Sequence, residues 1–219
     1  MTGLVLAIGN KNYSSWSMRP WLALRWGQIA FTEQVIELGP RYGRPNPDIL
    51  ALSDSGRVPV LILADGTRLH ESLAICEWAA EQTPALWPAD PVLRALARSA
   101  SAEMHAGFAA LRRELPMNLR RRKPDHTISA AAEADIARIE ALWQGLRARS
   151  ASLGPWLCGT RSVADAMFAP VATRFRTYGT ALSPVCQAWC DTVLADPDFR
   201  AWDQAGAAET WTIPETDAA

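Results

Sequence analysis

Glu71-Ser72 opens an apolar helical stretch, so a carboxylate and a hydroxyl sit where backbone N–H groups are free and the helix dipole favours an anion. A short way upstream, Val58-Pro59-Val60-Leu61 places a proline at the mouth of an apolar strand. Pro59 donates no backbone hydrogen bond and forces Val58 into an extended conformation. Val58 therefore turns its own N–H and C=O away from the sheet. An extended backbone edge beside an anion-binding helix start suits a small peptide with a free α-amino-acid end. A third cluster, Tyr13-Ser14-Ser15-Trp16-Ser17-Met18-Arg19, puts hydroxyls just ahead of another helix. A serine there commonly caps the helix, its hydroxyl accepting one of the free backbone N–H groups.

The elements that must position these residues are legible in outline. Leu4 to Ile8 reads as a buried strand, Ser17 to Trp26 as a helix with Pro20 in its first turn and Gly27 as its stop, and Phe31 to Leu38 as a second strand. Residues 39–47, rich in proline and glycine, read as a loop or broken helix. Val60 to Leu63 and Arg68-Leu69 flank an Asp-Gly turn and form a hairpin, and Glu71 to Gln82 follows as a helix. Thr83 to Pro91 carries three prolines and reads as a linker. Beyond it the chain reads as helical: Val92 to Leu115, Ala130 to Ser150, Ser162 to Tyr178, Val185 to Leu194 and Phe199 to Ala207. Ser162-x-x-Asp165 approximates a capping box, a stabilising rather than a chemical feature.

Composition narrows the classes. With 219 residues the chain has room for one large or two small domains. A net charge of −1 argues against broad attraction to nucleic acid or an anionic membrane. The run Arg120-Arg121-Arg122-Lys123 reads as a solvated helix end. Four cysteines (Cys76, Cys158, Cys186, Cys190) show neither zinc spacing nor a CxxC, so no metal is expected, and Cys186 and Cys190 read as buried free thiols. Met1 to Ile8 lacks the features of a signal peptide and no long apolar run marks a membrane span, so a reducing cytoplasm is the expected home. Most of the ten tryptophans read as core; Trp16, inside the serine cluster, is the exception.

Four segments in register carry a resemblance over nearly the whole chain: Tyr13 to Arg19, Arg57-Val58-Pro59-Val60-Leu61, His70-Glu71-Ser72-Leu73-Ala74-Ile75 and Ser162-Val163-Ala164-Asp165. Together they resemble the cytosolic glutathione transferase superfamily, and most closely its serine-type, zeta-like branch, where Ser-Ser-x-Ser-x-Arg opens the first helix. The resemblance implies an α/β thioredoxin-like N-terminal domain (βαβ-ββα) over 1–82, a linker over 83–91 and an all-α domain over 92–219 that forms the electrophile pocket. It also implies a homodimer, with glutathione as co-substrate and a small electrophile as its partner in the reaction.

The chemistry so implied needs glutathione's thiol as a thiolate. A free thiol titrates near ~8.5, and lowering that by ~2 units requires about 2.7 kcal/mol of preferential stabilisation. On the resemblance Ser14 donates to the sulfur, with Ser15 and Ser17 as alternatives. Val58 binds the cysteinyl unit through its backbone, Pro59 is cis, Glu71 pairs with the γ-glutamyl ammonium and Ser72 holds its carboxylate. Arg57 or Arg44 takes the glycyl carboxylate. Trp16, Met104, His105, Phe108, Arg112 and Arg174 are the candidates to line the electrophile pocket, and Arg174 there would favour a carboxylate-bearing substrate.

Two departures bear on which reaction follows. Trp16 stands where zeta-like members often carry cysteine, and Ser53-Asp54-Ser55-Gly56 where an Asn-Pro turn is usual. Serine at position 14, where thiol-transferring relatives have cysteine, argues against a mixed-disulfide mechanism. Three readings remain: transfer of glutathione to an electrophile, cis–trans isomerisation of the maleylacetoacetate isomerase kind, and non-catalytic glutathione binding.

Overall fold

The computed structural model describes residues 3–38 and 45–218, so Arg44 lies outside the described residues. Strand β1 (Leu4–Gly9) pairs in parallel with β2 (Phe31–Ile36), from Leu4↔Phe31 to Gly9↔Ile36. Helix α1 (Ser15–Trp26) is the crossover between them. A four-residue helix, α2 (Pro47–Leu50), begins at the last residue of the stretch read as a loop or broken helix, with Pro47 in its first turn and Asn46 as its cap. Strand β3 (Val60–Ile62) runs antiparallel to β1, and β4 (Arg68–His70) returns against β3, giving the sheet order β2-β1-β3-β4. Helix α3 (Ser72–Gln82) completes the βαβ-ββα half.

The remaining described chain is helical: α4 (Pro91–Ala106), α5 (Ala109–Glu114), α6 (Ala130–Ser150), α7 (Val163–Tyr178), α8 (Pro184–Ala195), α9 (Pro197–Ala208) and α10 (Pro214–Ala218). The Ser162–Asp165 capping box is complete, because the Asp165 carboxylate accepts the Ser162 N–H at 2.9 Å while Ser162 caps the third helical amide. Asp165 also accepts from Leu157 N–H and the Trp189 indole, at 2.9 and 2.8 Å, which ties α7 to α8 and the preceding loop.

Three sequence expectations change. Helix α1 starts at Ser15, two residues early, because Ser14 supplies its cap; Pro20 therefore lies beyond the first turn, inside the helix. The expected long helix from Val92 to Leu115 breaks into α4 and α5, since Gly107 is extended (φ −106°, ψ −165°) and Phe108 is left-handed at φ 63°. Alanine-rich periodicity continues across that break and hides it. The basic run is not a helix end: Arg120 and Arg121 reach across to backbone carbonyls of the chain's last described residues.

One continuous apolar core joins the sheet half to the helical half, from Leu6 and Leu22 through Trp143 and Phe168 to Trp202. Its spine is α1 against α7, with ten of twelve and fifteen of sixteen residues buried respectively. Helices buried nearly all round need no polar face. This explains why α1 carries Arg19 together with Trp16, Trp21, Leu22, Leu24 and Trp26 without an amphipathic stripe. Cys76, Cys158, Cys186 and Cys190 are all buried free thiols. No helix among the described residues is long and apolar enough to cross a membrane.

Candidate active site

The loop between β1 and α1 closes on itself: the N–H groups of Tyr13 and Ser14 both donate to the Asn10 carbonyl, at 3.1 and 2.8 Å. Ser14 then caps α1. Its Oγ accepts the Ser17 N–H at 3.3 Å and donates to Ser17 Oγ at 2.7 Å. Ser17 Oγ in turn accepts the Gly9 N–H at 3.1 Å and is fully buried, so Ser17 staples β1 to α1. Ser14 and Ser15, but not Ser17, line a cavity of 980 Å³. Ser15 Oγ makes no hydrogen bond to a described residue and lies in the first turn of α1.

Facing the serines across the cavity is Val58. The Val58–Pro59 peptide is cis, and ladder pairing of β3 starts only at Val60↔His70, so the Val58 backbone is left to the cavity. The preceding turn is held by Ser53 Oγ, which hydrogen-bonds Ser55 Oγ at 2.8 Å and His70 Nδ1 at 3.3 Å. Arg57 is exposed at the rim. At the start of α3, Glu71 sits at φ 67° and no side chain caps the helix. Ser72 is buried, lines the cavity, and its Oγ has no partner among the described residues. An uncapped helix start with an unsatisfied hydroxyl facing a cavity is a site for an anion.

The third wall is cationic. The guanidinium carbons of Arg19 and Arg112 lie 4.3 and 4.7 Å from the centre of the Trp16 ring, and His105 meets its edge at 5.4 Å. Arg19 is fully buried; Nε donates to Met167 O at 3.2 Å, while Nη1 and Nη2 have no partner among the described residues. Burial, then the charges of Arg112 and Arg174, hold its pKa well below the ordinary arginine value. Arg112 donates Nε to Gly107 O at 2.9 Å and Nη2 to Met104 O, which caps the end of α4. Arg174 donates Nη1 to Leu115 O at 2.6 Å. Among the described residues that line the cavity, Glu71 is the only carboxylate, against Arg57, Arg112 and Arg174. His105 lies with Nε2 3.5 Å from Glu71 Oε2; burial and the neighbouring Arg19 depress its pKa more than Glu71 raises it, so it is neutral near pH 7.

Of the expected site residues, Ser14, Ser15, Trp16, Arg57, Val58, Pro59, Glu71, Ser72, His105, Arg112 and Arg174 share this one cavity. Met104 and Phe108 do not. Met104 is fully buried in the core with only its carbonyl turned to Arg112, and Phe108 is consumed by the left-handed turn that separates α4 from α5. Among the further lining residues, the sequence reading did not single out Tyr13, Pro116, Met117, Ile213 and Thr216 as part of the site. Tyr13 sat within a quoted segment and could have been found there. Ile213 and Thr216 lie in a short polar-flanked tail with no periodic signal. Among the described residues no group of His, Cys, Asp or Glu side chains is placed to hold a metal ion.

Comparison with known proteins agrees with this geometry. Residues 13–82 match the glutathione S-transferase N-terminal domain and residues 129–192 the C-terminal domain. The chain is 31% identical over 173 residues to a maleylacetoacetate isomerase of Pseudomonas aeruginosa, covering 75% of this chain and 79% of that protein. It is 28% identical over 158 residues to glutathione S-transferase GstA of Escherichia coli O157:H7, covering 68% and 73%. Among solved structures, a Burkholderia glutathione transferase homolog with bound glutathione superposes with a TM-score of 0.70 at 22% identity, over 94% of this chain and all 100% of that one. A glutathione S-transferase from Rhodospirillum rubrum gives 0.69 at 23% identity, with 91% of each covered. The architecture, the two matched domains and the degree of identity agree on one assignment: the chain belongs to the glutathione S-transferase family.

Proposed function

We propose that this glutathione S-transferase binds glutathione across α3 and Val58 and activates its thiol with Ser14 for attack on a small electrophile that carries a carboxylate. The γ-glutamyl carboxylate meets Ser72 Oγ and the free amides of α3, and its ammonium meets Glu71. The cysteinyl unit pairs with the Val58 backbone as an added strand, and Arg57 takes the glycyl carboxylate. The sulfur then lies at the start of α1. Ser14 turns its hydroxyl from Ser17 Oγ to the thiolate, exchanging a neutral hydrogen bond for a charge-assisted one that is about twice as strong. Ser15 is the second donor. The observation that carries this reading is the unpartnered Ser72 Oγ at the uncapped start of α3, in the same cavity as the Ser14 hydroxyl.

Holding both reactants in one cavity adds to the chemical activation. Arg112 and Arg174 give that cavity its excess of positive charge, which favours an anionic acceptor. A second reading, glutathione-dependent cis–trans isomerisation, is supported by the same cationic wall and by the likeness to a maleylacetoacetate isomerase. There the thiolate adds to a conjugated double bond, the bond rotates and glutathione leaves unchanged. Consumption of glutathione separates the two readings, and equal rates with carboxylate-bearing and neutral acceptors would sink the preference for an anion.

The finer organisation is part of the same proposal. A glutathione-binding half over 1–82 meets a helical half over 92–219 across 83–91, in accord with α3 ending at Gln82 and α4 starting at Pro91. Val92 and Leu96, exposed one turn apart on α4, support a homodimer, which sedimentation measures directly. Four free thiols suit a reducing cytoplasm.

The deciding experiment is a pH titration of the bound thiolate's absorbance in wild type and Ser14→Ala. A bound pKa well below that of free glutathione, lost in the variant, supports the assignment. A shift that survives Ser14→Ala transfers the role to Ser15, and binding without a shift makes the protein a carrier of glutathione.

A further inference from the structure

The chain's last described residues are built into the loop that carries Ser14. After α9, both carboxylate oxygens of Glu209 accept backbone amides of that loop, Lys11 N–H at 2.6 Å and Asn12 N–H at 3.0 Å. In α10, the Asp217 carboxylate accepts the Tyr13 hydroxyl at 2.9 and 3.0 Å, and Asn118 Nδ2 at 2.8 Å. The basic run closes the arrangement. Arg120 Nη2 donates to the Tyr13 hydroxyl at 2.8 Å and to Trp211 O at 2.9 Å, and Nη1 to Glu209 O. Arg121 Nη1 donates to Asp217 O at 2.7 Å. Between these anchors, Ile213 and Thr216 face the cavity.

We propose that Asp217 and Glu209 are positioning residues for the reaction: they fix the loop that presents Ser14 and, with Ile213 and Thr216, hold the C-terminal segment as a wall of the electrophile pocket. This inference rests on the reaction proposed above. Tyr13 directly precedes Ser14, and the Ser14 amide returns to Asn10, so the position of residues 11–13 sets where the Ser14 hydroxyl lies. Glu209 fixes it from the backbone side and Asp217 from the side chain of Tyr13. The phenol is thereby saturated, with a carboxylate accepting its proton and a guanidinium donating to its oxygen. It is a strut and leaves thiol activation to the serines. A segment that holds the nucleophile's activator and bounds the second substrate couples the two: where the wall is displaced, Ser14 loses its register as well.

The test uses the full chain with Tyr13→Phe, Asp217→Ala and the double variant, and Asp217→Asn as the conservative replacement that keeps an acceptor for the phenol. Steady-state kinetics with an electrophile, glutathione affinity and amide exchange of residues 10–17 are read on each. The expected result is glutathione affinity within about twofold of wild type, kcat/KM for the electrophile down roughly tenfold in either single variant, no further loss in the double, and recovery by Asp217→Asn. Exchange across 10–17 accelerates in the same variants. Unchanged kinetics and exchange with only a lower melting temperature would overturn the proposal, since a merely structural strap moves neither. Exchange does not require glutathione. A wild type that fails to bind glutathione therefore overturns the reaction, while unaltered exchange overturns the positioning role.

Discussion

Glu71 is the residue where backbone and chemistry are most at odds. It holds φ 67° and ψ 125°, a region that side chains rarely adopt, at a cost of order ~1–3 kcal/mol. In the proposed reaction this geometry turns α3's start and the Glu71 carboxylate toward one end of glutathione. The two contributions are separable. Glu71→Ala removes the carboxylate and keeps the strain, whereas Glu71→Gly removes both. Both variants are expected to weaken glutathione binding by about tenfold, in keeping with an ion pair on a half-exposed side chain. Glu71→Gly should nevertheless be more stable than Glu71→Ala by about 1 kcal/mol in urea unfolding. Equal stabilities would mean that the conformation carries no strain. The Glu-Ser pair was readable from sequence because its residue types suit a helix start; the strain was not, since nothing in the types of neighbouring residues specifies a positive φ. Arg19 shows the same limit. Its place in the serine segment was visible, but its two unpartnered nitrogens depend on what α7 fails to offer.

Among the elements, the end of α4 is where sequence periodicity and structure part. Apolar residues recur smoothly through Gly107 and predicted one helix. The break at Gly107–Phe108 sets Arg112 back over the α4 terminus, so Met104 is core while His105, its neighbour, lines the cavity. One-residue differences of facing are invisible until the helix's axis is known. Other boundaries had a local signal by contrast: Gly9 ends β1, Pro59 precedes β3, Pro84 follows α3 and Ser129 caps α6. Helix α4 also carries the clearest pH dependence. His105 has its pKa held below the ordinary 6.5 by burial first and by Arg19 next. The unfolded chain therefore binds its proton more readily than the fold does. Stability from this group is complete above ~6.5 and is lost as pH falls through the depressed value. Asp165 acts oppositely: burial pushes its carboxyl up to about 6, so its contribution declines as pH rises from 3.8 toward that value. The difference between wild type and His105→Gln isolates the histidine. Urea unfolding between about pH 7 and pH 5 should show the wild type losing stability relative to the variant as pH falls. A parallel pair of curves would refute the depressed value.

At the scale of the whole molecule, the proline-rich 83–91 separates two sets of elements along the chain but does not separate two cores. Helix α1 belongs to the sheet half by sequence, yet its partners lie in both halves. Arg19 Nε reaches Met167 O, the Trp26 indole donates to Asp196 at 3.0 Å, and Trp21 meets Trp202 edge-on at 5.3 Å. Trp202 in turn donates to Lys11 O at 3.1 Å. A fragment of residues 1–90 would keep the four strands and α3 but expose the face of α1 that α7 and α9 cover. Each large apolar side chain so exposed forfeits roughly 1.5–3 kcal/mol. A whole domain is stable by only about 5–15 kcal/mol, so a few such losses suffice to unfold the fragment. The full chain is accordingly expected to unfold in one transition, with far-ultraviolet circular dichroism and tryptophan fluorescence tracing the same urea curve. The 1–90 fragment should lack cooperative unfolding altogether. The Ser14 loop is held from the helical half, whereas Val58 and the start of α3 belong to the sheet half. If the fragment folds cooperatively, or if the two probes of the full chain separate, the interface is weaker than its shared burial implies. Glutathione binding would then persist where electrophile turnover does not.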